Sequence, residues 1–270
     1  MSTHEDSALP FAGRDDESVQ GHWLLARLGK RVLRPGGIRL TRTLLNRTGI
    51  TGSDVVELAP GLGRTAAEIV VLEPRSYRGI DQDAAAVQMV QPIVAALGEV
   101  RTADAATTGL PDASADVVIG EAMLTMQGEK AKAAIIDEAA RLLRPGGRYA
   151  IHELCLTPAH IDDQLKTDVR QALARAIKVN ARPLTSAEWQ QLLTEHGLVV
   201  DHVDTAPMTL LQPRRLLADE GLGGALCFAR NLLTHRDARH RVLAMRKTFR
   251  AHRAHLAAVA IIAHKPGTAR

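Results

Sequence analysis

Val55-Val56-Glu57-Leu58-Ala59-Pro60-Gly61-Leu62-Gly63-Arg64-Thr65-Ala66 joins a short apolar run, a glycine turn and the start of a helix-forming segment. Glycine in such a turn removes the Cβ that would hold a ligand away from the main chain. The helix start presents N–H groups that have no partner inside the helix. A second apolar run ends in an acid, Asp81, about twenty residues further on. Strand, glycine turn, helix, strand and acid predict an α/β protein that holds an adenosine-type cofactor by its ribose.

The turn by itself leaves the cofactor open. Gly61-Leu62-Gly63-Arg64-Thr65-Ala66 fits the G-x-G-x-x-A pattern of nicotinamide and flavin dinucleotide sites. The same segment resembles motif I of the class I S-adenosylmethionine (SAM) methyltransferases, a strand ending in an acid, here Glu57, followed by a glycine-rich turn. Ala59 stands where that family most often has its first glycine. A glycine turn that binds nothing is the third reading.

The downstream pattern separates them. A helical segment from Ala84 to Leu97 carries Val87, Val90, Val94 and Leu97 on one side. Glu99 to Ala105 reads as a third strand, with Asp104 at its end. Leu110-Pro111-Asp112-Ala113-Ser114-Ala115-Asp116-Val117-Val118-Ile119 is a polar turn entering a β-branched fourth strand, as a buried parallel sheet requires. A helix from Glu129 to Leu143 closes at Arg144-Pro145-Gly146-Gly147, and Arg148 to Leu154 is a fifth strand. In order and spacing this set resembles the class I SAM methyltransferases over about residues 50 to 155, nearest the type 11 group that includes quinone-biosynthesis enzymes.

The resemblance implies roles residue by residue. Glu57 and the main chain at Ala59, Gly61 and Gly63 would hold the methionine part of SAM. Asp81 would accept from both ribose hydroxyls, with Gln82 beside the adenine. Asp104 and Ala105 would flank the adenine edge, and the main chain near Glu121 would line the cavity floor. Structural roles compete. Asp81 could cap the next helix, although Asp83 before Ala84-Ala85-Ala86 is the better cap. Asp104 could close an Asx turn.

Outside this region the chain predicts one domain. A length of 270 residues with 46% apolar content supports a single large core, and with only 3% aromatics that core is aliphatic. The expected fold is α/β, a Rossmann-like, seven-stranded, mostly parallel sheet. Residues 1–48 form an N-terminal tail and helices, broken at Arg34-Pro35-Gly36-Gly37 and closed by Gly49. Residues 49–270 form the cofactor-binding domain. Leu-Arg-Pro-Gly-Gly occurs at both 33–37 and 143–147, read as one Pro-Gly turn chemistry used twice. Thr185-Ser186-Ala187-Glu188 starts a helix in the capping-box style. Leu198 to Val203 and Leu256 to His264 are the sixth and seventh strands. The segment between them is too long for a hairpin turn, which predicts a helical cap over about 207–255. Residues 158–183 would supply a second lid segment.

Composition also bounds the partners. Cys155 and Cys227 form no C-x-x-C pair, and no histidines stand on one face with carboxylate support, so no metal is expected. Met1 to Asp16 is polar and acidic, without the apolar core of a signal peptide, and no apolar run reaches membrane-spanning length. A cytoplasmic protein is the expectation. Residues 207–270 hold 12 Lys or Arg against 3 Asp or Glu. This basic segment is either a solvated amphipathic helix or a site for an acidic substrate or anionic surface. Nucleic acid is not expected, since no aromatics alternate with the arginines.

The chemistry implied is methyl transfer from SAM to a small-molecule acceptor, leaving S-adenosylhomocysteine. His152, beside Glu153 at the substrate end of the fifth strand, is the candidate base; a strand histidine bonded to backbone is the competing reading. His22 and Trp23 lie on an N-terminal helix that, by the resemblance, would close over the cofactor; a core anchor is the competing reading of Trp23. Two other functions stay open, an NAD(P)- or flavin-dependent oxidoreductase and a catalytically silent SAM-binding or regulatory protein.

Overall fold

The computed structural model describes residues 19–267. The acidic tail Met1 to Asp16 lies outside the described residues. Eight strands form one sheet: β1 (Asp54–Leu58), β2 (Ser76–Asp81), β3 (Gly98–Thr102), β4 (Ala115–Glu121), β5 (Leu143–Leu156), β6 (Leu184–Thr185), β7 (Val199–Pro207) and β8 (Leu256–His264). Their order is β3-β2-β1-β4-β5-β8-β7, with the short β6 paired to β5. Pairs from β3 to β5 are parallel, and β8 is antiparallel to both neighbours. This is the Rossmann-like α/β sheet expected. The sixth and seventh strands expected from sequence are β7 and β8.

The strand order reverses between β1 and β4, and this reversal decides where a ligand sits. At such a point the connections leave in opposite directions and open a crevice beyond the carboxyl ends of the strands. Helices cover both faces. Leu40, Leu44 and Leu45 of α2 (Gly37–Thr48), Ala66 and Ile69 of α3 (Arg64–Val71), and Val90 and Val94 of α4 (Ala84–Val94) pack on one side. Ile135, Ile136 and Ala139 of α5 (Glu129–Leu142) and Trp189 and Leu193 of α7 (Ser186–Glu195) pack on the other. Trp189 is fully buried, and its Nε1–H donates to the Leu154 carbonyl at 3.1 Å. The capping box is formed: Thr185 accepts from the Glu188 N–H, and Glu188 accepts from the Thr185 N–H at 2.7 Å.

Boundaries differ modestly from the sequence reading. α4 stops at Val94, and Leu97 is only partly buried against the same core. β5 begins at Leu143 because the Pro-Gly turn is absorbed as an irregularity in its pairing with β4. Gly49 ends α2 in the left-handed conformation, φ 80°.

Four helices gather over the carboxyl ends of the strands: α1 (Gly21–Arg27), α6 (Asp163–Ile177), α8 (Pro213–Thr234) and α9 (Arg236–Ala251). The last two make up the expected cap between β7 and β8. Leu24, Leu25 and Leu28 of α1, Phe228 of α8, and Val242 and Met245 of α9 form a small apolar core of their own. The lid is therefore a packed unit rather than a set of loops.

Candidate cofactor and acceptor site

The carboxyl ends of β1, β2 and β4 open into a cavity of about 250 Å³. Its floor includes Glu57, Ala59, Pro60, Gly61, Asp81 and Glu121. Ala59 and Ala122, just past β1 and β4, adopt φ 55° and 54°, a left-handed conformation that costs an L-residue roughly 1–2 kcal/mol. Both line the cavity. Ala59 thus takes the backbone geometry that glycine adopts freely, and its N–H still donates to the Ile80 carbonyl at 2.7 Å. The missing glycine costs strain and leaves the turn intact.

The two glycines of the turn have different jobs. A Cβ on Gly61 would meet only the Ala59 carbonyl oxygen, at 3.9 Å, so the main chain there is open to the cavity. A Cβ on Gly63 would strike Ile93 Cδ1 at 2.6 Å. Gly63 lets α3 and α4 approach closely and is not on the cavity wall.

Asp81 holds the turn and faces the cavity. Its Oδ2 accepts the Gly61 N–H and its Oδ1 the Asp83 N–H, both at 3.0 Å. Each oxygen keeps a further lone pair for a diol. Burial pushes this carboxyl up, against the pull of those two N–H donors. Asp83, not Asp81, caps α4, accepting from the Ala85 N–H at 2.8 Å. Gln82 and Asp104 are exposed at neighbouring strand ends, with Gln82 Nε2 donating to Asp104 Oδ2 at 2.9 Å. Asp104 also makes the Asx turn, its Oδ1 accepting from the Ala106 N–H at 2.8 Å. Gln82, Asp104 and the buried Ala105 are not on the cavity wall.

Glu57 is buried and accepts the Tyr77 hydroxyl at 2.7 Å. Burial pushes its carboxyl up to about 8, although Tyr77 and Arg34 pull the other way. Glu121 behaves oppositely. Burial raises it too, but Arg34 and His152 outweigh that and hold it well below the usual carboxylate range. Arg34 Nε donates to Glu121 Oε2 at 2.6 Å and Thr41 Oγ1 to Oε1 at 2.6 Å, while Thr65 Oγ1 donates to Oε2. Arg34 also donates to Thr65.

His152 is a member of this network and not a cavity residue. It is fully buried, its Nε2 accepts the Gly36 N–H at 3.1 Å, and its Nδ1 meets Glu121 Oε1 at 2.8 Å. With both nitrogens engaged, the expectation of a base gives way to a positioning role. Glu153 lines the cavity, yet its carboxylate is consumed by the Met123, Leu124 and Thr125 N–H groups and the Thr125 hydroxyl, at 2.7–3.0 Å. It fixes the turn after β4. His22 and Trp23 do line the cavity, and their rings lie 4.9 Å apart. Burial holds His22 down at about 4, so it is neutral at pH 7.

Sequence reasoning missed Arg34, Thr41 and Thr65. Nothing in the first Leu-Arg-Pro-Gly-Gly distinguishes it from the second. Arg144 of the second copy merely pairs with Asp54 and Asp116 far from the cavity.

Toward the lid the wall is mostly apolar, with Trp23, Leu33, Leu173, Met208, Met245 and Phe249, and three cations, Arg31, Arg34 and Arg64, also line the cavity. The basic residues of α9 do not reach it. Arg246, Lys247 and Arg250 are exposed and Met245 is buried, so the apolar face of α9 roofs the cavity. The exposed cations of this segment therefore do not line the cavity. Among the described residues, no group of three or more His, Cys, Asp or Glu is placed to hold a metal ion.

An open α/β sheet with a crevice at its topological switch point, roofed by inserted helices, is an architecture that binds ligands beyond the carboxyl ends of its strands. Comparison with known proteins makes this specific. Residues 56–151 match the family model described as "Methyltransferase domain". A protein of Haemophilus influenzae, itself uncharacterized, is 35% identical over 249 residues, 88% of this chain and 96% of the relative. Two solved structures share the fold. A putative sarcosine dimethylglycine methyltransferase from Galdieria sulphuraria has TM-score 0.68 and 18% identity over 85% of this chain and 86% of its own. A phosphoethanolamine N-methyltransferase 2 from Haemonchus contortus, in complex with phosphomonomethylethanolamine and S-adenosylhomocysteine, has TM-score 0.68 and 15% identity over 97% of this chain and 60% of its own. Residues 56–151 carry the methyltransferase-domain match, and the fold is that of the class I SAM-dependent methyltransferases.

Proposed function

We propose that this protein transfers the methyl group of SAM to a small, apolar acceptor held beneath the lid. The observation that carries the reading is the division of one cavity into a polar floor around Asp81 and Gly61 and an apolar roof around Trp23, Met208 and Met245. In this reading Asp81 accepts from the ribose hydroxyls. Glu57 and the open main chain at Ala59 and Gly61 face the amino-acid end, and Gln82 and Asp104 border the adenine from outside the cavity. The Arg34–Glu121–His152 network clamps the β4 end of the floor.

SAM supplies an electrophilic methyl group on a sulfonium, which is displaced in line as the S–CH₃ bonding pair returns to sulfur. The protein's part is to align the acceptor and exclude water. The lid helices do both. Glu121 and Glu153 are occupied by internal donors, and His22, neutral at pH 7, is a polar side chain at the roof. An uncharged acceptor loses little on desolvation against the apolar part of the wall.

The test is a calorimetric titration. Asp81→Ala weakens SAM and S-adenosylhomocysteine binding more than about tenfold, through loss of charge-assisted bonds to both hydroxyls. Unchanged affinity overturns that role. Turnover of labelled SAM against a metabolite extract, partitioned into organic-soluble and aqueous fractions, then tests the acceptor. Label confined to the aqueous fraction overturns the apolar assignment.

A further inference from the structure

The lid has a second surface, turned away from the cavity. At Gly221 (φ 70°, ψ 178°) α8 breaks, and beyond the break its inner side packs through buried Phe228 and half-buried Ala225 and Leu232. Leu222, Leu226, Ala229 and Leu233 follow the 4-3-4 spacing that places them on one stripe of a helix, about 100° around from that inner side. The three leucines are 73%, 70% and 71% exposed. Leaving such side chains in water forgoes the gain of their burial. A continuous exposed stripe of this kind marks an interaction surface.

Charge frames the stripe with one sign. Arg214, Arg230 and Arg236 on α8 and the start of α9, and Arg246, Lys247 and Arg250 further along α9, are all exposed. The acids of α8 are turned inward. Asp219 accepts the Ile38 N–H at 3.1 Å, and Glu220 accepts the Arg31 and Val32 N–H groups and Lys30 Nζ at 2.9–3.2 Å. Asp237 is the exposed acid of the two helices. Leucines on one side of a helix flanked by arginine and lysine match an interfacial helix, in which apolar side chains sink to the headgroup boundary and cations meet lipid phosphates.

We infer that the outer face of α8 and α9 docks on the surface of an anionic lipid bilayer. A second copy of the same face would set like charge against like charge. A nucleic acid would leave the leucines in water. Among the described residues no helix is long and apolar enough to cross a membrane, so the contact is with the surface. The same lid supplies Met208, Leu210 and Met245 to the cavity roof. A bilayer-dissolved acceptor would then enter through the docked side; this consequence rests on the proposed reaction, and the docking does not.

The experiment is co-sedimentation of the full chain with phosphatidylcholine vesicles, with and without phosphatidylglycerol, in the absence of SAM and acceptor. Binding is expected to the anionic vesicles alone and to fall at least about tenfold on raising salt to about 0.5 M. Leu226→Glu/Leu233→Glu and, separately, Arg230→Glu/Arg236→Glu are each expected to lose at least about tenfold in partitioning. Because all four side chains are exposed, unfolding temperature and SAM affinity should not change. No binding to anionic vesicles at low salt overturns the inference, as does binding that survives both double substitutions. A dimer in light scattering that the leucine substitutions dissociate, without vesicle binding, assigns the stripe to a second copy instead. Loss of methyl transfer with vesicle binding intact refutes the proposed reaction and leaves the docking standing.

Discussion

His152 Nδ1 lies 2.8 Å from Glu121 Oε1 across the β4–β5 pair, in which the two residues are direct register partners. Because Nε2 accepts the Gly36 N–H, the ring proton sits on Nδ1 and is donated to Glu121. The imidazole therefore links the N-terminal segment to the cavity floor. His152→Ala leaves a void, a buried N–H and a carboxylate short of one donor. A loss of about 2–4 kcal/mol in chemical denaturation is expected, together with weaker SAM binding. Methyl transfer abolished with stability and SAM affinity unchanged would restore the base assignment.

Glu121 and Arg34 form a buried ion pair whose members have 3% and 9% side-chain exposure. Such a pair is costly to halve, since the survivor keeps its desolvation penalty. Glu121→Gln is expected to destabilise by about 3–5 kcal/mol. Adding Arg34→Met should recover part of that loss, because the stranded guanidinium is then gone. Strict additivity of the two changes in urea titrations would show that the pair does not act as a unit.

Under the proposed function, Glu57 is expected to make SAM binding depend on pH. Its carboxyl is raised to about 8 in the folded chain, so the folded state binds the proton more tightly than the unfolded one. This contribution is most favourable to folding below about 4.5 and is lost as pH rises toward 8. A cationic ammonium brought beside Glu57 reverses the balance and expels the proton. SAM affinity should therefore strengthen from pH 6 to 8, by at most about tenfold per unit. Calorimetry in buffers of different ionisation heat should register proton release, and Glu57→Gln should abolish it. Equal heats in all buffers for the wild type would refute the linkage.

The two Leu-Arg-Pro-Gly-Gly copies offer a controlled comparison at their fourth position. A Cβ on Gly36 would press on Leu40 and come within 2.9 Å of His152 Nε2. A Cβ on Gly146 meets nothing within 4 Å and is penalised only by φ 80°. Gly36→Ala is expected to cost about 1–3 kcal/mol and to weaken SAM binding. Gly146→Ala should cost about 1 kcal/mol with binding unchanged. Identical effects at both positions would refute the distinction.

Much of the architecture was legible because it rests on local pattern. The β-branched run at Val117-Val118-Ile119, the acid-terminated Ser76–Asp81 strand and the capping box at Thr185 each declare their structure within a few residues. The length between β7 and β8 declared an insertion for the same reason. Of the candidate site, the strand-end and turn residues Glu57, Gly61 and Asp81 line the cavity, while Gly63 packs α3 against α4.

By itself, then, the sequence determined the strand–turn–helix order and hence the crevice at the β1–β4 reversal, since periodicity and turn chemistry act between near neighbours. Only the tertiary structure decided that Arg34 of one Pro-Gly turn, and not Arg144 of its twin, reaches Glu121 across 87 residues. It also decided that His152 is spent on Gly36 and that α9 shows its apolar side to the cavity. These outcomes depend on which surfaces meet when distant segments pack, and a side chain's partners across such distances leave no periodic trace in the chain.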